Sequence, residues 1–433
     1  MSDTTDIKRQ FFNSLRCGTG EAFLIFKDNP TIDFSDLIIK GAITNYSYDN
    51  QSEGSRANYI YRFIQKSKQK DKIVKAVLTR LQSEKIDYWG LHQMCDLAVK
   101  FYKAGYHEAK TALYTRFEKN SLDGYEFCGQ KQLMTIDGLN GVLKVAETVG
   151  KTLLENPDDY EDTWIIDDFQ KRNKSVDIYE ELKNASAKNK YIKAYYNSIL
   201  KNKWTLPRPR KIKRFTYELV KEKIDNRRLG FLSSDRNKEL KDNEVEKLAN
   251  EFLTEKDNQQ KEMYLRFFGS RKFPFDYKPI FQIASGKNPK KTRIVEFAVE
   301  ALRYFSAKEI RQLALDKLST VKNPSDYLNL LVSNYKTGDH ILLTEIANRS
   351  DNFDFIHSIV FGFINIYEAN STKECKMPLE TIYYKMNCGL HREDIVKILL
   401  DNNVLSDKIF AELEFDSYDP VRKLYRQNKN GRQ

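Results

Sequence analysis

Apolar side chains recur along this chain at intervals that fit one face of an α-helix. Ala57, Ile60, Tyr61 and Ile64 fall at i, i+3, i+4 and i+7, and Ile73, Ala76, Val77 and Leu81 follow a near-identical spacing. Ala109, Ala112, Leu113 and Phe117 repeat the pattern, as do Ile294, Ala298, Ala301, Leu302 and Phe305. Further stripes run through Ile310, Leu313, Ala314 and Leu318, through Tyr327, Leu330, Leu331 and Tyr335, and from Ile341 to Ile346. A 3.6-residue period gathers such positions on one side of a helix, with polar residues opposite. Helices about three turns long are marginal alone in water, so each stripe must bury against a neighbour. The predicted fold is all-α.

The spacing of the stripes predicts how they pack. Breaks at Ser306, at Asn323-Pro324-Ser325 and at Thr337-Gly338-Asp339 separate the C-terminal stripes. A helix pair therefore returns about every thirty-odd residues, near the period of helical solenoids. Asn323 or Ser325 is placed to cap the helix that follows, with Pro324 at or just before its first turn. Between the periodic regions, Glu155, Asp158, Asp159, Glu161, Asp162, Asp167 and Asp168 form an acidic stretch that gives way to basic residues, and Pro207 and Pro209 exclude a regular helix interior. The expected organisation is an N-terminal helical array over 1–150, an irregular acidic-then-basic connection over 151–235 and a C-terminal array over 236–433. The architecture is an α-solenoid of stacked antiparallel helix pairs.

Asp419-Pro420-Val421-Arg422-Lys423-Leu424 resembles the Asp-Pro-x-Val-Arg signature of HEAT-like (armadillo-type) helical repeats. Asn288-Pro289, continuing to Arg293-Ile294-Val295, is similar but inserts Lys290, Lys291 and Thr292 between the proline and the arginine. The resemblance covers residues 285–427, with 55–150 matching by periodicity alone. It implies that Val421 is a core residue and that Arg422, with Arg293 as a counterpart, contacts an adjoining repeat.

Composition narrows the class. With only 18 Gly and 10 Pro in 433 residues, collagenous, low-complexity and turn-rich all-β architectures are excluded. A 40% hydrophobic, 12% aromatic composition argues against wholesale disorder. The most apolar window, Phe355 to Ile366, is interrupted by His357, Ser358 and Asn365 and is too short to span a bilayer, so no membrane insertion is expected. The polar start, MSDTTDIKRQ, lacks the apolar stretch of a secretory leader. Cys17, Cys95, Cys128, Cys375 and Cys388 are odd in number and scattered, which suits reduced thiols and a cytoplasmic location.

Net charge is +11, and it is unevenly placed. The segment from Lys201 to Arg228 holds 11 basic and 3 acidic residues, a net +8. Phosphate backbones bind such segments largely without regard to sequence, and nearby aromatic faces can stack on unpaired bases. The candidate nucleic-acid contacts are Lys201, Lys203, Trp204, Arg208, Arg210, Lys211, Lys213, Arg214 and Tyr217, with Phe215 also among the charges. The competing reading is a solvated linker and helix face, or a pairing with the acidic stretch.

Other motifs carry less. Cys17-Gly18-Thr19-Gly20 lacks the Lys-Ser/Thr of a phosphate loop and reads as a turn between helices. Cys375, Cys388 and His391 offer three soft ligands without a fourth, so buried cysteines are the preferred reading and no metal is expected. HEAT-like alkylpurine DNA glycosylases combine aromatic, acidic and basic residues on one surface. Trp164, Asp167 and Asp168 are the residues to weigh against that chemistry, and the preferred reading buries Trp164 in a core. No catalytic arrangement and no cofactor motif emerges. The function expected is a non-catalytic scaffold or regulator that binds a protein partner, with nucleic-acid binding as the alternative.

Overall fold

The computed structural model describes residues 2–83, 87–123, 128–156, 158–203, 215–228 and 240–431, and among them every regular element is a helix. Contacts divide the chain into two compact units, one of residues 1–208, 387–389 and 408–433, the other of residues 209–386 and 390–407. Among the described residues no helix is long and apolar enough to cross a membrane.

The first unit opens with α1 (Ser2–Cys17), α2 (Glu21–Asp28), α3 (Ser35–Ile43), α4 (Asn50–Glu53), α5 (Ala57–Lys66) and α6 (Lys70–Leu81). It continues with α7 (Tyr88–Lys103), α8 (Glu108–Asp123), α9 (Gln130–Glu155), α10 (Trp164–Arg172), α11 (Ile178–Ser186) and α12 (Lys190–Lys201). The stripes read from the sequence are the buried faces: Ala57, Ile60 and Ile64, then Ile73, Val77 and Leu81, then Ala109, Ala112, Leu113 and Phe117 join one core with Phe11, Phe63 and Phe101. Burying each large apolar side chain is worth about 1.5–3 kcal/mol, so this core drives the unit's folding. The turn Gly18-Thr19-Gly20 links α1 to α2, with Gly18 at φ +82°.

Part of the segment expected to be irregular is regular. Residues 164–201 form α10, α11 and α12 and belong to the first unit. Two side chains that carry no periodic signal explain the difference. Asp177 accepts from the backbone N–H groups of Tyr179 and Glu180 to cap α11, and Asn189 accepts from Tyr191 and Ile192 to cap α12. Asn189 also donates to Glu147 of α9 at 2.8 Å. Short apolar sets (Ile166 and Phe169, Ile178 and Leu182, Ile192, Tyr195 and Ile199) supply the buried faces.

The C-terminal part of the chain returns to the first unit as α24 (Asp407–Leu413), from Lys408 on, and α25 (Asp419–Asn428). Buried Arg56 helps hold residues 387–389, donating to the carbonyls of Asn387 at 2.6 Å and Arg16 at 2.8 Å and pairing with Glu53 at 3.2 Å. Val421 is fully buried. Arg422 donates to the carbonyls of Asp416 and Ser417 and to the Asp419 carboxylate, so its bonds are local and not to an adjoining helix pair.

The second unit holds α13 (Tyr217–Asp225), α14 (Asp242–Thr254), α15 (Asn258–Phe268), α16 (Lys278–Ala284), α17 (Ile294–Leu302), α18 (Lys308–Thr320), α19 (Ser325–Leu328), α20 (His340–Asn348), α21 (Phe353–Ala369) and α22 (Lys376–Lys385), with α23 (Gly389–Asp401) from Leu390 on. The stripe from Tyr327 to Tyr335 is not one helix: α19 passes into a 3-10 turn, Asn329–Leu331, and then into tight turns. Asn334 redirects the chain, its amide donating to the carbonyls of Leu330 and Phe305 while its side-chain oxygen accepts from Ala307 N–H. Gly338 at φ +97° completes the reversal. In α20, Leu343, Ile346 and Ala347 face inward, whereas Ile341 is 60% exposed.

Candidate binding groove

A groove of about 740 Å³ lies in the first unit, lined by α2, the loop after it, the junction of α5 and α6, and Phe415. Local sequence builds each wall. Asn29 closes α2 by donating to the Ile25 carbonyl at 2.9 Å, and Pro30 follows it. Asp33 then accepts from Ser35 N–H at 2.8 Å to start α3, and that bond holds its carboxyl below the usual range. Ser67 ends α5, and its hydroxyl accepts from Gln69 N–H ahead of α6.

The floor is aromatic. Phe23 stacks on Phe415 with ring centroids 4.4 Å apart and planes 19° from parallel. Phe26 lies 5.9 Å from Phe34 and 5.7 Å from Phe63, and Phe11 lies 4.4 Å from Phe34. Lys27, Lys66 and Lys68 form the rim, against a single lining carboxylate, Asp33, which is already engaged with Ser35. Lys68 donates to the Pro30 carbonyl at 3.3 Å and so bridges the loop and the α5–α6 junction. None of the three lysines is ion-paired among the described residues. A smaller hollow of about 210 Å³ shares Phe23, Lys66 and Phe415 and adds Arg62 and the carboxylate of Glu414. Burial, and then the like charge of Arg422, pull Arg62 below the ordinary arginine value. The result is an apolar, wet-edged trough with excess positive charge, suited to an anionic ligand carrying an apolar anchor.

This groove was not legible as a site in the sequence. Its phenylalanines look like ordinary core residues, and Phe415 joins them from the far end of the chain. The available signal was the closeness of Lys27 to Phe23 and Phe26, and of Lys66 and Lys68 to Phe63.

Six of the residues singled out for nucleic acid, Trp204, Arg208, Arg210, Lys211, Lys213 and Arg214, lie outside the described residues. Lys201 and Lys203 are exposed in the first unit, whereas Tyr217 begins α13 of the second. Tyr217 donates to Glu251, and Lys247 sits 3.8 Å from the centre of its ring, so this aromatic face is already occupied. Phe215 is buried and presents no ring for stacking. Lys221 pairs with Asp225, and Arg227 with Asp257 at 2.6 Å.

Trp164 is not a core residue: it is 50% exposed, because the buried face of α10 is set by Ile166 and Phe169 and residue 164 falls opposite. Asp167 accepts from Thr163 and Tyr179, and Asp168 pairs with Arg172 and Lys131. All five cysteines are buried thiols outside any disulfide. Cys375, pushed up to about 11 by burial, belongs to no group of three ligands able to hold a metal among the described residues. The His391 ring packs 4.7 Å from His357 and 4.5 Å from Phe361. Comparison with protein-family models, curated proteins and solved structures finds no match to this chain.

Proposed function

We propose that the chain is a non-catalytic binding protein whose groove receives an acidic segment of a partner protein, anchored by an aromatic or large aliphatic side chain. One observation carries this reading: three lysines with no ion-pair partner among the described residues rim a floor of packed phenylalanines. An aromatic anchor on such a floor supplies most of the affinity, and charge complementarity supplies orientation and on-rate. For the second unit, which the groove does not touch, we infer a HEAT-like helical array: helices there pack mainly on those one and two places along the chain, as α15, α16 and α17 do. Five buried cysteines, none in a disulfide, are in keeping with work in the cytoplasm.

The test uses the full chain and a fluorescein-labelled twelve-residue peptide alternating Asp/Glu with Phe, read by fluorescence anisotropy. The peptide is expected to bind, and its Asn/Gln counterpart to bind roughly tenfold more weakly. Combined K27E, K66E and K68E changes are expected to abolish the difference. Equal binding of the two peptides, or binding untouched by the charge reversal, refutes the proposal. Tighter binding of a single-stranded oligonucleotide of equal charge also refutes it and favours nucleic acid.

A further inference from the structure

A second constellation lies in the first unit, built from residues that the groove does not use. His92 and Cys95 stand three residues apart on one face of α7. Asp87 caps that helix, accepting from Gly90 N–H at 2.7 Å, and so fixes the rotation that presents this face. Cys128 comes from the turn before α9, where Gly129 adopts φ +100°. A Cβ at Gly129 would stand 3.5 Å from the Cys95 sulfur, so this left-handed turn lays the backbone beside the Cys95 thiol. Cys128 is thereby brought close enough to Cys95 and His92 for both to act on its thiol.

The three groups are unequal. Cys95 is fully enclosed, Cys128 retains 4% of its surface, and His92 is partly exposed beside the rings of Tyr88 and Trp89. The neighbouring Cys95 thiol, and then His92 and its charge, draw Cys128 down to about 6 despite burial. Cys95 moves the other way, raised by its Cys128 neighbour and by burial. Cys128 in turn raises His92 towards the imidazolium. The other charged groups acting on the cluster are Asp96, from α7, and Arg116, from α8. Asp96 in turn accepts from Gln132 of α9 at 2.6 Å.

We propose that Cys128, Cys95 and His92 form a peroxide-reactive dithiol site, with Cys128 as the attacking thiolate and Cys95 as the resolving thiol. The thiolate of Cys128 attacks one oxygen of a hydroperoxide and the O–O bond breaks. The leaving oxygen takes the His92 proton and departs as water or alcohol, while sulfur, oxidised by two electrons, becomes a sulfenic acid. The Cys95 sulfur then attacks Cys128, the S–O bond breaks, and hydroxide leaves with the Cys95 proton as water. The net change converts two thiols and one peroxide to a Cys95–Cys128 disulfide, one water and one alcohol or second water. His92 is a positioning and proton-donating group here, and the reacting atoms are the two sulfurs.

The experiment treats the full, reduced chain with one equivalent of hydrogen peroxide, counts thiols and maps peptides without reduction. Titratable thiols are expected to fall from five to three, with Cys95 and Cys128 recovered as one linked peptide. C128S is expected to keep all its remaining thiols, and C95S to leave a dimedone-reactive sulfenic acid on Cys128. A readout that needs no variant is iodoacetamide modification of each cysteine against pH. At pH 6 a thiol of pKa about 6 is half thiolate. Against an ordinary thiol, and after allowing for its lower intrinsic nucleophilicity, that is an advantage of roughly tenfold. Cys128 should therefore react first, with an inflection near pH 6 that H92Q moves upward. An inflection above pH 8 in the unmodified chain, or first loss of a thiol other than Cys95 and Cys128, overturns the proposal.

Discussion

Gly150 offers a test in which two physical effects have opposite signs. It lies within α9 where that helix meets α12, and an ideal Cβ built on it would stand 1.9 Å from the Tyr191 carbonyl oxygen and 2.7 Å from its carbon. An ordinary carbon–oxygen approach is roughly 3.3 Å, so Gly150→Ala requires α9 and α12 to part by more than an ångström. The obstacle is backbone, which no rotamer change can relieve. Overpacking of this kind costs about 1–3 kcal/mol, and the opened gap forfeits further dispersion along Ile192, Tyr195 and Ile199. Against this, alanine in a helix interior gains about 1 kcal/mol over glycine. The balance is a loss of about 2 kcal/mol, or roughly 4–8 °C in the unfolding midpoint for a unit of this size. Urea and thermal unfolding of the full chain, followed by circular dichroism, measure it. A midpoint that rises, as helix propensity alone requires, refutes the packing of α12 on α9 and with it the assignment of α12 to the first unit.

Two further outcomes follow from buried charge. Burial, and then Asp162, raise Glu161 to about 7; its contribution to stability is complete below the unfolded value near 4.5, falls as pH rises towards 7 and is flat above. Glu161→Gln should therefore match the parent near pH 4.5 and exceed it at pH 8 by about 2–3 kcal/mol in urea unfolding, and a pH-independent difference refutes this. Arg311 reaches both oxygens of Asp339, at 2.7 and 2.6 Å, and the Asn334 carbonyl at 2.7 Å, so it clamps the turn that ends the α19 region. Arg311→Ala strands the nearly buried Asp339 and should cost about 3 kcal/mol, with Arg311→Lys near 1 kcal/mol because one ammonium cannot serve both oxygens. A loss for Arg311→Ala within 0.5 kcal/mol of zero in equilibrium unfolding refutes the clamp.

The all-helical class was readable from apolar periodicity because burial of a stripe is a local demand, met by residues a few positions apart. Ala57–Ile64, Ile73–Leu81 and Ala109–Phe117 are buried faces for that reason. Reading failed where polar side chains override the stripe. Asn334 ends a helix that Tyr327, Leu330, Leu331 and Tyr335 would otherwise continue, and Asp177 and Asn189 start helices in a segment dominated by charge. Trp164 was misplaced because residue type outweighed phase: the helix turns so that Ile166 and Phe169 point inward, and position 164 cannot join them.

Both candidate sites needed information that no local window holds. The pairing of His92 with Cys95 is visible as a three-residue spacing, yet it acquires chemistry only when the Gly129 turn delivers Cys128 to the same face. The groove is more extreme, since Phe415 completes its floor from beyond the second unit's share of the chain. Net charge directed attention to residues 201–228, where two of the six described basic residues are ion-paired, Lys221 with Asp225 and Arg227 with Asp257, and the Tyr217 ring is covered by Lys247. Charge that recruits a partner must be left unpaired by the fold. By that criterion the three lysines around the phenylalanine floor carry more recognition potential than those engaged members of the denser run, although they contribute less to the total.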